Sequence, residues 1–328
     1  MKHRNILISR IDAIGDVTLT IPICGYLKSV FPESRISFLG RRYTEPVIST
    51  CSSIDEFINY DELKILSESR QVAYMKARSI DIIIHVFPNG HLSRLAKKSK
   101  IPLRVGTSHR WYHWLSCNRL VSLGRKKSNL HEAELNLRLL KGMGVTEFPA
   151  LNEIHQYYNF TNLDVVPENI LNLLSKEKFN LILHPKSHGS GKEWPLSRYK
   201  ELIAILPEEN YTIFISGSEK EKDLLKDWIP EIGKAVVDIT GLMSLGQLIA
   251  FIKRADGLVA CSTGPLHLAA ALGINTLGLY PDVRPIHGER WGPLGKKAGY
   301  IKSSNAELDT IQANEVYKLI TEWSKNPE

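Results

Sequence analysis

The run of residues 261–273, CSTGPLHLAAALG, has the residue types of a phosphate-binding turn. Ser262 and Thr263 can cap a helix, and Gly264 allows a ligand to approach the backbone closely. Pro265 suits the first position of that helix, because its missing N–H would have no partner there. The free N–H groups and the dipole at a helix start attract anions. The run therefore predicts a phosphate site after an apolar strand, although such units are common and the signal is weak by itself.

A second candidate is the run of residues 184–195, HPKSHGSGKEWP. Its two glycines, its hydroxyl side chains and Lys192 are typical of a loop that surrounds a phosphate. It is not a P-loop, because that motif requires glycine in place of Lys186 and serine or threonine in place of Glu193. A surface loop with incidental lysines is the alternative, but the Trp-Pro pair that ends the run argues against high flexibility. Ser197 is placed to cap the helix that follows.

The third candidate is the turn after the first strand, residues 9–17, SRIDAIGDV. Such a turn lies at the carboxyl end of a parallel sheet, where ligands bind in α/β folds. Gly15 permits a tight turn, and Asp16 opens a helix. The alternative to a functional carboxylate is an aspartate that caps this helix, worth about 1 kcal/mol. Arg10 and Asp12 can pair in either case, and the absence of a GxGxxG pattern disfavours a dehydrogenase.

Two further turns carry residues suited to a nucleoside. Glu219 and Glu221 follow Gly217 where a strand ends and a helix begins, and acids at such turns accept hydrogen bonds from ribose hydroxyls. An acid that complements the helix dipole is the alternative, and it is the commoner use of this position. The run 240–242, which is Thr240, Gly241 and Leu242, ends the next strand and can border a purine.

Two series of alternating strands and helices position these turns. Strand patterns fall at 6–11, 35–39, 56–60, 80–86 and 103–105, and again at 180–184, 212–216, 235–239, 257–260 and 276–279. Helical patterns fall at 17–30, 91–98 and 132–141, and again at 197–206, 219–228, 245–254, 265–272 and 313–323. Alternation of this kind predicts parallel sheets with helices on both faces. The two series predict an α/β protein of two doubly wound domains that face a cleft, with an irregular stretch at about 147–166 between them.

Composition narrows the class of protein. The chain has 328 residues, 43% of them hydrophobic and 23% charged, which is typical of a soluble globular protein with two domains. The sequence has neither an apolar run long enough to span a membrane nor a signal-peptide pattern. The four cysteines lack metal-ligand spacing, so we expect free, buried thiols in a reducing cytoplasm.

The formal net charge is +7, and basic residues cluster at 94–100 and 119–127. An anionic membrane surface, a phosphorylated substrate and a nucleic acid are possible partners, beside a simple solvated basic face. No nucleic-acid-binding motif is present, so nucleic acid ranks last.

Together, the motifs RIDAIGDV, HP…GSGKEWP, STGPLHLAAALG and a final RWGP resemble glycosyltransferase family 9, the family of the ADP-heptose:lipopolysaccharide heptosyltransferases. The resemblance spans the chain in the right order. It implies a GT-B fold with an acceptor-binding domain at residues 1–160, joined by a C-terminal helix at about 310–326. A nucleotide-sugar-binding domain would occupy residues 161–309. It also implies an inverting transfer that uses neither a metal nor another cofactor, with an ADP-linked sugar as substrate.

The resemblance implies a role for particular residues. Asp16 would be the general base, while Lys192 and Ser187 would bind the diphosphate. Donor and nucleotide binding would also involve Gly217, Glu221 (or Glu219), Thr240, Gly241, Leu242, Ser262, Thr263 and Gly264. We expect Arg10, Arg94, Lys98 and Arg104 to bind the anionic glycolipid acceptor, with Lys97 beside them at the lipid surface. Ser262 stands where many heptosyltransferases carry aspartate, and His188 where they carry a hydroxyl residue.

These features predict a glycosyltransferase that moves heptose onto a lipopolysaccharide core or a related glycolipid. We expect it in the cytoplasm, peripherally on the cytoplasmic face of the inner membrane. Three alternatives stay open at this point. The enzyme could use another nucleotide sugar for a surface polysaccharide, it could be a GT-B nucleotide-sugar epimerase, or it could be a non-catalytic sugar-nucleotide-binding subunit.

Overall fold

In the computed structural model, the chain divides into two compact units, Met1–Asn162 and Leu163–Glu328. The structure describes residues 4–125, 128–187, 189 and 191–323. Each unit contains its own parallel sheet, whose strands alternate with helices along the chain. The sequence placed the boundary at residue 160, inside a stretch that carries the short 3₁₀ helix Leu151–Tyr157.

Six parallel strands form the sheet in the described part of the first unit. They are β1 (Asn5–Ser9), β2 (Arg35–Gly40), β3 (Glu56–Asn59), β4 (Ile82–His85), β5 (Leu103–Thr107) and β6 (Arg119–Val121). Their spatial order is β3-β2-β1-β4-β5-β6, so β1 and β4 are neighbours from which the chain winds in opposite directions. Ile6, Leu7 and Ile8 are all buried although successive side chains point to opposite faces, so both faces of the sheet are covered.

Helices follow these strands. They are α1 (Ile14–Thr18), α2 (Pro22–Val30), α3 (Glu45–Thr50), α4 (Tyr60–Leu63), α5 (Glu68–Ala77), α6 (Gly90–Lys98), α7 (Trp111–Ser116) and α8 (Glu132–Arg138). The predicted single helix at 17–30 is two helices, because Pro22 has no N–H for the i→i−4 bond and instead begins α2. Helix α8 continues as the 3₁₀ helix Leu139–Met143 and stops at Gly144, whose φ is 92°.

The second unit repeats this plan. Its strands are β7 (Phe179–His184), β8 (Tyr211–Ile215), β9 (Val237–Asp238), β10 (Gly257–Cys261), β11 (Asn275–Tyr280) and β12 (Ala298–Lys302). All pair in parallel in the order β12-β11-β10-β7-β8-β9. The order matches that of the first sheet, and it is the order of dinucleotide-binding folds. The sequence patterns missed β6, which has only three residues, and β12, which is an edge strand without a buried residue.

The helices of the second unit are α9 (Glu168–Leu171), α10 (Leu196–Ile205), α11 (Glu219–Leu225), α12 (Trp228–Ile232), α13 (Leu245–Ile252), α14 (Gly264–Leu272), α15 (Gly288–Trp291) and α16 (Ala313–Trp323). The resemblance implied that the last helix joins the first domain. Instead, α16 packs against α10, and its Val316 and Ile320 belong to the core of the second unit. Its apolar stripe is therefore buried within the unit to which it is connected.

Two predicted caps are absent. Helix α10 begins one residue before Ser197, with Pro195 as the N-cap and no side-chain cap bond. Helix α14 has Thr263 as its N-cap, again without a side-chain bond, so neither Ser262 nor Thr263 caps it. The start of α14 therefore keeps backbone N–H groups that no capping side chain occupies.

The sequence predicted four free, buried thiols. All four cysteines are free, and three of them are buried. Burial raises the pKa of the Cys51 thiol to about 11, so this thiol is protonated at neutral pH. Among the described residues, no helix is both long enough and apolar enough to cross a membrane.

Candidate active site

In the second unit, two predicted segments meet at the place where strand order reverses. Strands β7 and β10 are neighbours, and the chain leaves their carboxyl ends into the loop 185–195 and the start of α14. A Cβ atom added at Gly191 would lie 3.0 Å from the carbonyl oxygen of Ser262, so the loop passes directly over the helix start. Doubly wound folds bind nucleotides at such a switch point.

Glu193 holds the first part of this loop together. Its Oε1 accepts hydrogen bonds from the backbone N–H of Ser187 at 2.8 Å and from the Ser187 hydroxyl at 3.1 Å. Its Oε2 pairs with Lys186 at 2.9 Å. Burial raises the pKa of Glu193, but the bonds from Lys186 and Ser187 outweigh burial and lower it overall. Ser187, predicted to touch the diphosphate, therefore also shapes the loop, whereas His188 lies outside the described residues.

Lys192 and the α14 start supply the charge of this region. Lys192 pairs with Glu307, and both side chains are about half exposed. Thr263 is 4% exposed, and its Oγ1 has no hydrogen-bond partner in the described part of the chain. A cation, a hydroxyl and backbone N–H groups thus stand along one edge of the sheet, which is the chemistry that a diphosphate requires.

The predicted nucleoside residues also come together. The N–H of Gly241 donates to the carbonyl of Gly217 at 2.9 Å, and a Cβ atom at Gly217 would lie 3.3 Å from Thr240 Cγ2. Glu221 forms a capping box with Ser218, whose N–H and hydroxyl donate to Glu221 Oε2 at 2.7 and 2.9 Å.

Two exposed side chains border the same turn. The carboxylate of Glu219 stands over Gly241, because a Cβ atom added there would lie 2.0 Å from Glu219 Oε2. Leu242 is 46% exposed, which leaves an apolar surface suited to a base.

In the first unit, the turn after β1 contains a buried ion-pair cluster. The Arg10 guanidinium bonds to Asp12 Oδ1 at 2.6 Å and also pairs with Asp16. It reaches Glu132 Oε1 at 3.5 Å, and Glu132 pairs in turn with Arg125. Burial raises the pKa of Asp12, although the charge of Arg10 lowers it in part. The Asp16 side chain is 22% exposed and Arg10 only 4%, so the carboxylate is accessible above a buried counter-ion.

Arg10 is therefore placed differently from the expectation. The sequence predicted that it would bind the acceptor, but its guanidinium is buried among carboxylates and the amide oxygen of Asn136. Sequence reasoning missed Arg125, Glu132 and Asn136, because they lie more than a hundred residues from Arg10 and carry no local motif.

The other predicted acceptor residues lie on α6 and β5. Lys98 pairs with Glu68 at 2.5 Å on the surface, and Arg94 is exposed. Arg104 donates from Nε to the Ser116 carbonyl at 2.7 Å, and also to the Ile101 carbonyl. Arg104 therefore braces backbone between β5 and α7, whereas Arg94 and Lys98 stand in solvent.

Within the ranges that the structure describes, no group of three or more His, Cys, Asp or Glu side chains is placed to hold a metal ion.

Comparison with known proteins identifies the family to which the chain is similar. Residues 109–320 match the family model of glycosyltransferase family 9 (heptosyltransferase). A Haemophilus influenzae protein described as "Putative glycosyltransferase" is 29% identical, over 98% of this chain and 97% of its own length.

Solved structures agree on the fold. The structure of a Veillonella parvula glycosyl transferase of family 9 superposes with a TM-score of 0.81 at 20% identity, covering 98% of this chain and 97% of that one. The Escherichia coli ADP-heptose lps heptosyltransferase II superposes with a TM-score of 0.74 at 18% identity, covering 98% of each chain. The predicted α/β class and GT-B fold are thereby confirmed.

Proposed function

Because the chain belongs to glycosyltransferase family 9, we propose that it transfers a heptose from ADP-heptose to the core of a lipopolysaccharide acceptor. The observation that carries this proposal is the meeting of the loop 185–195 with the start of α14 where the strand order reverses. This meeting supports a phosphate site, and the exposed Leu242 and the acids of the neighbouring turn support a nucleoside site.

The donor is held by the second unit. The diphosphate lies against the backbone N–H groups of Thr263 and Gly264 and the hydroxyl of Ser262, and Lys192 exchanges Glu307 for a phosphate oxygen. Glu221, with Glu219 beside it, accepts hydrogen bonds from the ribose, and the turn 240–242 borders the base. Preorganised donors of this kind stabilise the charge that grows on the leaving diphosphate.

Asp16 receives the proton. The acceptor hydroxyl attacks the anomeric carbon and forms the new C–O bond, while the bond from that carbon to the diphosphate oxygen breaks. The electron pair leaves with ADP, the proton passes to Asp16, and the anomeric configuration inverts. Arg10 touches neither substrate in this scheme. It holds the Asp16 carboxylate in a fixed orientation and is itself held by Glu132. No metal takes part.

A transfer assay tests the proposal. Purified protein with ADP-heptose should release ADP only when a heptose-deficient lipopolysaccharide core is added, and EDTA should not change the rate. Conversion of the donor without an acceptor would indicate a nucleotide-sugar epimerase instead. Binding without conversion of any donor would indicate a non-catalytic subunit.

The residue type at position 262 bears on which sugar the donor carries. Many heptosyltransferases carry an acid at this position, so a different donor for a surface polysaccharide is the main rival. A thermal-shift screen of ADP-, UDP-, GDP- and dTDP-sugars separates the two, because at equal concentration the ligand that binds the folded chain most tightly raises the unfolding temperature most. The proposal requires that ADP-heptose give the largest shift.

The proposed acceptor determines where in the cell the enzyme works. Lipopolysaccharide precursors are anionic glycolipids, so the enzyme works in the cytoplasm at the inner-membrane surface, to which it binds peripherally. The exposed basic side chains of Arg94 and Lys98 support this proposal.

A further inference from the structure

Helix α7 exposes an apolar face. Trp111 is 73% exposed, Trp114 is 65% exposed and Leu115 is 64% exposed, at the i, i+3, i+4 spacing that puts them on one side of a helix. The other side is fixed to the unit, since His113 and Ser116 are buried. A soluble protein rarely leaves two indoles in water without a use for them.

This Trp face, made of Trp111, Trp114 and Leu115, is held in place. Trp114 Nε1 donates to the Ser108 carbonyl at 2.8 Å, so the polar atom of the ring is satisfied while its carbon atoms point outward. The ammonium of Lys97, on α6, donates to the Leu115 carbonyl at 2.7 Å and ties α6 to the end of α7. The Trp114 side chain and the end of α7 are therefore fixed before binding, which reduces the entropy that binding costs.

The surroundings of the Trp face are predominantly basic, although Glu68 pairs with Lys98 on α6. Between Asp81 and Glu132 the sequence contains ten Lys and Arg residues and no Asp or Glu, although the whole chain has a net charge of only +7. Arg94, Lys97, Lys100 and Arg110 are exposed on α6, just after it and just before α7. Exposed positive charge therefore flanks the Trp face on α6 and at the residue before α7.

We infer that the Trp face binds an anionic membrane, with Trp111, Trp114 and Leu115 in the interfacial layer and the surrounding cations against lipid phosphates. Tryptophan favours this layer because it joins an apolar ring to one polar N–H. A second copy of the chain fits worse, because a symmetric contact would bring Lys97 and Arg110 against their own copies. This surface deepens the proposed function, on which it rests, by naming how the enzyme reaches a membrane-held acceptor.

Vesicle sedimentation tests the inference. We expect binding to phosphatidylcholine vesicles that contain phosphatidylglycerol, weaker binding to pure phosphatidylcholine, and loss of binding as salt rises. The double variant Trp111→Ser/Trp114→Ser should lower the partition coefficient on the order of tenfold or more. Its matched controls are Ile65→Ser and Val165→Ser, whose side chains are 78% and 84% exposed elsewhere and should not change binding.

The contribution of the basic residues to membrane binding is tested separately. Lys100→Glu/Arg110→Glu should weaken binding to the anionic vesicles by at least about tenfold, since each basic residue at such a surface contributes on the order of 1 kcal/mol. The control Lys176→Glu/Lys226→Glu changes the net charge equally in the second unit and should have a much smaller effect.

Binding by the double tryptophan variant equal to that of the unchanged protein would overturn the inference. So would a dimer in sedimentation velocity that this variant abolishes. Heptose transfer to a deacylated, water-soluble acceptor keeps the two proposals apart. If transfer fails while vesicles bind, only the proposed function falls; if transfer proceeds without vesicle binding, only the membrane surface falls.

Discussion

At the residue scale, the hydrogen-bond partners of Arg10 change the role that its sequence position suggests. A basic residue beside Asp12 and Asp16 looked like a ligand for an acidic acceptor. Its guanidinium is instead the buried counter-ion of both carboxylates, fixed from behind by Glu132. The accessible group of the cluster is therefore a carboxylate, which can accept a proton from an acceptor hydroxyl.

Asp16→Asn tests the role of that carboxylate. The amide keeps the shape of the side chain but cannot take the proton, so kcat for heptose transfer should fall by about 10²–10⁴. The affinity for ADP, measured by calorimetry, should stay unchanged, because the proposed nucleotide residues all belong to the second unit. Near-normal turnover would remove Asp16 as the base.

Lys192 is the second residue whose partner sharpens its role. It pairs with Glu307, so a phosphate must compete with that carboxylate. Lys192→Ala should weaken ADP binding by about tenfold, the size of a lost hydrogen bond to a charged group.

Glu307→Gln should do the opposite and tighten ADP binding a few-fold, because it removes the competitor. Lys302→Ala is the matched control, since Lys302 pairs with Glu289 on the surface of the same unit. Equal affinities for all three variants in calorimetry would show that Lys192 does not touch the diphosphate.

At the element scale, the sequence predicts the strands of both sheet centres and the turns at their carboxyl ends. Apolar runs as short as 180–184 are typical of buried strands, and the glycines after them mark the turns. The Arg10–Glu132 contact could not be predicted, because it depends on how α8 packs beside β1. The start of α10 was misplaced by one residue, since Pro195 pre-sets the backbone and makes a serine cap unnecessary.

Gly241 tests the nucleoside turn as an element. Its φ is 68°, and its Cα faces the Glu219 carboxylate, so alanine would strain the backbone and displace that side chain. Gly241→Ala should lower the free energy of unfolding by about 1–2 kcal/mol and should also weaken ADP binding. Gly144→Ala is the control, because its φ is 92° with no atom near the added Cβ. Gly144→Ala should lower the free energy of unfolding in urea by a similar amount but keep its affinity for ADP. A loss of ADP affinity in Gly144→Ala equal to that in Gly241→Ala would contradict the placement of the nucleoside.

The end of β4 carries a buried histidine that makes stability depend on pH. Both ring nitrogens of His85 lack a partner within the described chain, and burial lowers its pKa from 6.5 to about 3. The unfolded chain therefore binds a proton that the folded chain excludes, and stability falls as pH drops below 6.5. Between pH 7 and pH 5 this group should cost about 2 kcal/mol of unfolding free energy. In His85→Leu, urea unfolding at these two pH values should show a difference smaller by that amount, and an unchanged difference would contradict the assignment.

At the scale of the whole molecule, one topology occurs twice and the chemistry is divided between the copies. Both sheets have the same strand order, and in each the turn after the first strand carries candidate residues. The first unit presents a carboxylate over a buried arginine, whereas the second presents hydroxyls, glycines and a lysine. The proposed proton acceptor and the proposed anion site thus stand on equivalent turns of related folds, which suits a reaction with one nucleophile and one phosphate leaving group.

This division of roles predicts which segments a bound nucleotide protects from hydrogen exchange. ADP at a hundred times its dissociation constant should stabilise the protein by about 2.7 kcal/mol, and the unfolding temperature should rise with ADP concentration. Hydrogen exchange should slow in the loop 185–195, the turns 216–221 and 240–242 and the start of α14, because their N–H groups become bonded or covered. Exchange in the turn 10–16 should change little with ADP alone and should slow when an acceptor is added. Protection from exchange centred on the first unit would reverse the proposed roles of the two units. Lys192→Ala at the same ADP concentration should show less protection from exchange in all of these segments.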